Sequence, residues 1–186
     1  MKRVYLLVSE SSLDRESLQK AFASVFASLS FPSDKEAVGE GESDALYALE
    51  KAISVYHHET GSNLIVLAVH RFDGFSAKLA HEALSFLPNK ASFMSDVILH
   101  ELRYGDYSSL SFLSALFADL PQEIMETAVE YLRHDRDALS ASSSLYIHRN
   151  TFLYRIKAFK KMTMLDVRDY HDGLLLELYT GLLKRN

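Results

Sequence analysis

The run Ser140-Ala141-Ser142-Ser143-Ser144-Leu145-Tyr146-Ile147-His148-Arg149-Asn150-Thr151-Phe152-Leu153-Tyr154-Arg155-Ile156 reads as two helical segments with a tight turn between them. The first segment is built from small residues, and Ala141 and Ser142 let a neighbouring helix approach closely. Leu145 and Ile147 flank the turn. In the second segment Phe152, Ile156 and Phe159 recur at i, i+4 and i+7, which places them on one helix face. His148 falls where an N-cap belongs; it is a mediocre cap, but it stands where a phosphate would approach the helix start. A supporting helix, a turn and a second helix with a buried stripe are the parts of a helix-turn-helix.

The opposite face of the second helix is basic and polar. Arg149 and Asn150 stand in its first turn, the part of a recognition helix that reaches base edges. An arginine makes paired hydrogen bonds to guanine, and an asparagine to adenine. Lys157, Lys160 and Lys161 lie further along, where phosphate contacts dominate. With His148, Thr151, Leu153 and Tyr154 they make the candidate DNA-binding set. Residues 148–168 hold six basic side chains against Asp166 alone, a local charge of +5. The chain as a whole carries −5, so the remainder carries −10. A basic stretch on an acidic body is an electrostatic footprint for a polyanion. Counterion release is local to the contact surface, so an acidic average does not oppose it.

The 186 residues suit one ordinary domain or two small ones, and a 48% hydrophobic content is enough for a core. There is no cysteine, hence no disulfide, thiolate metal site or cysteine nucleophile. The apolar run Val4–Val8 is too short for a signal peptide. Leu64–Val69 falls far short of the ~20 residues of a membrane helix. A soluble, cytoplasmic protein is expected. No P-loop, GxGxxG or Gly-x-Ser-x-Gly motif is present, and the carboxylates are scattered, so neither enzymatic activity nor a cofactor is expected. His57-His58-Glu59 and His100-Glu101 lack metal-ligand spacing, so no metal is expected.

Upstream, Val4–Val8 reads as a buried strand, Ser12 to Ser28 as a helix and Phe31 to Glu42 as an acidic loop with two glycines. A helix from about Ser43 to His58 and a strand from Leu64 to His70 complete a small α/β unit over residues 1–72. From residue 73 the pattern is helical throughout. Helices are expected over Ser76–Phe86, Ser92–Tyr104, Ser108–Ala118 and Glu123–His134. A last one, from about Arg168 to Lys184, carries Leu174, Leu175, Leu178 and Leu182. The fold class is mostly α: a C-terminal helical helix-turn-helix domain, within residues 73–186 and centred on 123–186, preceded by a small α/β unit.

The string Leu145-Tyr-Ile-His-Arg-Asn-Thr151, followed by Tyr154-Arg155-Ile156, resembles the C-terminal helix-turn-helix of PucR-type bacterial transcription factors, the CdaR-like regulators. Met125-Glu126-Thr127-Ala128 with Tyr131-Leu132 resembles the helix that precedes it in that family, and Leu174–Leu183 its leucine-rich last helix. Residues 92–121 resemble the family's helical lead-in. Ser142 stands where the family usually has alanine, and Met164 where it usually has glycine. Family members carry a larger sensory region first; here Ser76, Ala80, Ala83 and Leu84 resemble the last helix of a reduced GGDEF-like domain. The resemblance implies a sequence-specific transcription regulator whose partner is double-stranded DNA. The leucine stripe of the last helix is expected to cap the helix-turn-helix core, with part of it open to the alternative of a dimer seam; a homodimer is expected because one recognition helix reads few bases. Two alternatives remain open: a protein-interaction module of the same fold that has lost DNA binding, and a one-component regulator whose residues 1–72 sense an unidentified small-molecule effector.

Overall fold

A computed structural model describes residues 2–42 and 45–182. The chain divides into two compact units, Met1–Val97 and Ile98–Asn186. Its class is the mostly helical one expected, with a small sheet in the first unit and the helix-turn-helix in the second.

The first unit is built on a five-stranded sheet in the order β2-β3-β1-β4-β5. Its strands are β1 (Lys2–Ser9), β2 (Leu29–Ser30), β3 (Glu36–Glu42), β4 (Leu64–Val69) and β5 (Lys90–Phe93). β1 pairs antiparallel with β3 and β4, and β5 joins β4 in parallel. The near-continuous apolar runs of β1 and β4 follow from burial on both faces. On one face Tyr5, Leu7, Val66 and Ala68 meet Leu18 and Phe22 of α1 (Arg15–Phe22) and Leu49 and Ile53 of α2 (Leu46–Thr60). The alternate residues Leu6, Val8, Ile65 and Leu67 turn to the other face, which α3 (Gly74–Leu84) covers. The expected start of α2, Ser43, lies outside the described residues, as do Leu183 and Lys184 at the expected end of the last helix.

The structure departs from three of the expectations. The acidic segment Phe31 to Glu42 is not all loop: Glu36–Glu42 is strand β3, which pairs with β1 and with β2 just before the segment. Its two glycines are packing positions, because the Phe26 ring lies against them. A Cβ on Gly39 would meet the Phe26 ring 2.8 Å away, and glycine in a strand marks such close approaches. Ala37, Gly39 and Gly41 are buried while Glu40 and Glu42 are exposed, an alternation of small and acidic residues that no apolar pattern announces. Second, the chain after residue 73 is not wholly helical, since Lys90–Phe93 pairs with Ile65–Ala68 as an edge strand. The helix expected from Ser92 therefore begins at Met94. Third, the first unit reaches Val97 rather than residue 72, because α3 and β5 belong to its sheet through a β4–α3–β5 crossover.

His70 directly follows β4, with its side chain buried. Burial pushes its imidazole pKa down to about 4, against the attraction of Asp73 and with the repulsion of Arg71. Asp73 also caps α3: its carboxylate accepts from the Ser76 N–H at 2.9 Å, and the Ser76 hydroxyl accepts from the Asp73 N–H at 2.9 Å.

The second unit is helical. The boundary between units falls inside α4 (Met94–Arg103), and α5 (Leu110–Phe117), α6 (Gln122–Arg133), α7 (Ala138–Ser144), α8 (Arg149–Thr163) and α9 (Tyr170–Leu182) follow. Phe117 of α5 is central: its ring centroid lies 6.2 Å from that of Phe159 on α8 and 4.8 Å from that of Tyr179 on α9. On α9 the fully buried leucines are Leu175 and Leu176, whereas Leu174 and Leu178 are half-buried and Leu182 is exposed. The buried stripe is thus rotated by about a residue from the expected one.

Candidate nucleic-acid interface

The helix-turn-helix comprises α7 and α8, braced by α6. Asp137 caps α7; its carboxylate accepts from the backbone N–H groups of Leu139 (3.0 Å) and Ser140 (3.3 Å) and from the Ser140 hydroxyl (2.6 Å). Those bonds, the hydroxyl's first, hold the Asp137 carboxyl below its ordinary value. Ala141 and Ser142 are buried, as their size requires. α7 ends at Leu145, and the chain turns through Tyr146, which adopts left-handed backbone (φ 54°) with its side chain in solvent. The Ile147 N–H donates to the Ser142 carbonyl at 3.1 Å and closes the turn.

His148 is the N-cap of α8. Its backbone is extended, and its Nδ1 accepts from the Asn150 N–H at 3.2 Å. Phe152, Ile156, Phe159 and Thr163 form the buried stripe of α8. Tyr131 of α6 stands against it, its ring centroid 5.7 Å from that of Phe152. Two polar contacts from α6 set the angle of the motif. Glu130 Oε1 accepts from the Ser144 hydroxyl at 2.7 Å and lies 3.0 Å from His134 Nε2. Thr127 Oγ1 accepts from Arg155 Nη1 at 3.4 Å. The Ser144 bond outweighs burial and, with Arg133 and His134, keeps the Glu130 carboxyl below its usual range. A carboxylate on the helix before a serine-rich one is the only sequence signal for the Glu130 contact, and no local pattern marks the contact of Thr127 with Arg155.

Of the nine residues expected to meet DNA, His148, Arg149, Asn150, Thr151, Leu153, Tyr154, Lys157 and Lys161 are exposed. Arg149, Asn150, Leu153, Tyr154, Lys157 and Lys161 follow the helical repeat along one face, opposite the buried stripe. Lys160 differs. It is half-buried, and its Nζ lies 3.0 Å from Asp166 Oδ2. Asp166 also takes the Arg168 fork, with Nε 2.8 Å from Oδ1 and Nη2 2.6 Å from Oδ2. Burial opposes the charged form of Asp166, but Arg168 and Lys160 prevail and hold its carboxyl far below the usual carboxylate range. Two of the six cations counted in the footprint, Lys160 and Arg168, are therefore engaged by the one Asp166 carboxylate. Between α8 and this carboxylate, Met164 ends the helix in left-handed backbone (φ 63°), the position where glycine is usual.

No group of three His, Cys, Asp or Glu residues is placed to hold a metal ion among the described residues. Nor is any helix among them long and apolar enough to cross a membrane.

A short supporting helix, a turn closed by one left-handed residue and an exposed polar recognition face define a helix-turn-helix domain. Its family is specific: residues 124–180 match the PucR C-terminal helix-turn-helix domain, and this segment is such a domain. The chain is 38% identical over 53 residues to the carbohydrate diacid regulator of Escherichia coli (strain K12), covering 28% of this chain and 14% of that protein. It is 33% identical over 76 residues to the proline-responsive transcriptional activator PutR of Bacillus subtilis (strain 168), covering 41% of this chain and 18% of that one. The chain thus matches only a small part of the length of these relatives. The crystal structure of a regulator of polyketide synthase expression from Bifidobacterium adolescentis superposes with a TM-score of 0.48 at 15% identity, over 100% of this chain and 81% of that one.

Proposed function

We propose that the protein is a transcription regulator, not an enzyme, that binds double-stranded DNA by laying α8 in the major groove. The observation that carries this reading is the exposed face of α8. Arg149 and Asn150 stand at its start and Lys157 and Lys161 further along, on a helix whose other face is locked into the core. Arg149 and Asn150 would read base edges; Lys157, Lys161 and the helix start near His148 would meet phosphates. The regulators named among its relatives support the same reading, and the cytoplasm is where such a protein would act. The half-buried Leu174 and Leu178 with exposed Leu182 give α9 an edge for two-fold pairing, so we also propose a homodimer.

The test is fluorescence anisotropy with a pool of random duplexes, titrated over salt, with light scattering on the same samples. Log affinity should fall linearly with log salt, and Lys157→Ala should reduce the slope by ~0.9. Arg149→Ala should weaken binding to a selected duplex by roughly 1–3 kcal/mol. A monomeric mass at micromolar concentration would overturn the dimer. No binding even at low salt would overturn the DNA reading and favour an interaction module of the same fold.

A further inference from the structure

The helical unit carries a half-open pocket of about 140 Å³ beside the recognition helix. Tyr131 of α6 and Phe152, Leu153 and Ile156 of α8 form its apolar wall. Lys157, Lys160 and Arg168 stand at its rim. The volume decides what fits. An apolar cavity of ~150 Å³ takes one benzene ring, whereas drug-sized ligands occupy ~300–1,000 Å³. The wall suits a ring, with two aromatic side chains in mutual contact along it. The rim suits an anion. Lys157 is exposed and in no ion pair among the described residues, and it stands beside Lys160 and Arg168, which both pair with Asp166.

We propose that this cavity binds a small aromatic carboxylate, with its ring against Tyr131, Phe152 and Ile156 and its carboxylate at Lys157. Leu153 and Lys157 belong both to the cavity and to the candidate DNA-binding face. An occupant therefore neutralises a phosphate-facing cation and competes with the duplex. The competition rests on the DNA-binding reading; the binding of the acid does not.

Benzoate is the probe, with acetate and benzyl alcohol as controls for charge alone and ring alone. Thermal melting of the full chain at constant ionic strength reads binding without DNA. A ligand of this size reaches an affinity of about 1 mM. Benzoate should raise the melting temperature with that concentration dependence, and acetate should not. Lys157→Gln should weaken benzoate about tenfold and leave benzyl alcohol unchanged. Ala138→Leu, which fills the cavity from the start of α7, should abolish the effect of both while circular dichroism shows the helices intact. An equal shift with acetate, no shift with benzoate, or benzoate binding unaltered in both variants overturns the site. In anisotropy, benzoate should displace the duplex from the wild type and not from Ala138→Leu. Displacement equal to that by acetate overturns the competition. If the duplex does not bind at all, the DNA reading fails and the melting curves alone decide the cavity.

Discussion

Asp166→Ala is expected to destabilise the helical unit by roughly 3 kcal/mol, a large share of the ~5–15 kcal/mol that holds a domain folded. The carboxylate is buried between the end of α8 and the start of α9 and gathers Lys160, both faces of the Arg168 fork and the Arg168 N–H. The Asp166 N–H in turn donates to Asp172 Oδ2 at 2.8 Å, so the same turn is tied to α9. The estimate sits at the low end for breaking a buried pair because Lys160 and Arg168 are partly exposed, and water takes up their charge. The carboxyl is held below its unfolded value, so its stabilisation is complete above pH ~4 and is lost as the pH falls further. Calorimetric melts at pH 7 and at low pH check both statements. Asp166→Ala should lower the transition strongly at pH 7 and lessen its sensitivity to acid below pH ~4. A loss under about 1 kcal/mol would show that solvent alone replaces the network.

The second large effect belongs to the other unit and to a different pH window. His70 is buried neutral, with its pKa pushed down to about 4. An unfolded histidine titrates near 6.5, so between these values the unfolded chain binds the extra proton. Stability of the sheet unit is therefore complete above pH ~6.5, falls by about 3 kcal/mol on acidification to pH ~4, and this loss is then finished. Hydrogen exchange at β1 and β4 amides reports it locally. His70→Gln, which cannot titrate, should remove most of the dependence between pH 6.5 and 4. An equally steep dependence in that variant would assign it to other groups.

Sequence and structure agree best where apolar spacing is strong. Phe152, Ile156 and Phe159 define α8 because the helical repeat and a buried face coincide, and the run Leu64–Val69, six apolar residues after Gly61-Ser62-Asn63, has the length and bounds of a strand buried on both sides. They part where side chains are small or charges are internal. β3 escapes notice because its buried residues are Ala37, Gly39 and Gly41, which carry no hydrophobic signal; the determinant is Phe26, 13 residues before Gly39. β5 escapes because four residues at a sheet edge show no period. The interface is legible as a face but not as a charge. Lys160 and Arg168 count as footprint in one dimension, and only the fold brings Asp166 between them. The bracing of α7 by Glu130 depends on a contact across 14 positions, which local pattern does not carry.

The joints of the helix-turn-helix have a bearing on how this domain tolerates change. Tyr146 and Met164 hold left-handed backbone without being glycine, and both side chains lie largely in solvent. Glycine is ordinarily among the worst replacements inside a helical domain. At these two sites it removes a steric penalty of ~1–2 kcal/mol and forfeits little burial. The substitution profile of the domain is therefore inverted at its corners. A selection for folding alone would enrich glycine where a generic tolerance matrix predicts depletion, and the stability so released would admit otherwise damaging variants elsewhere in the motif.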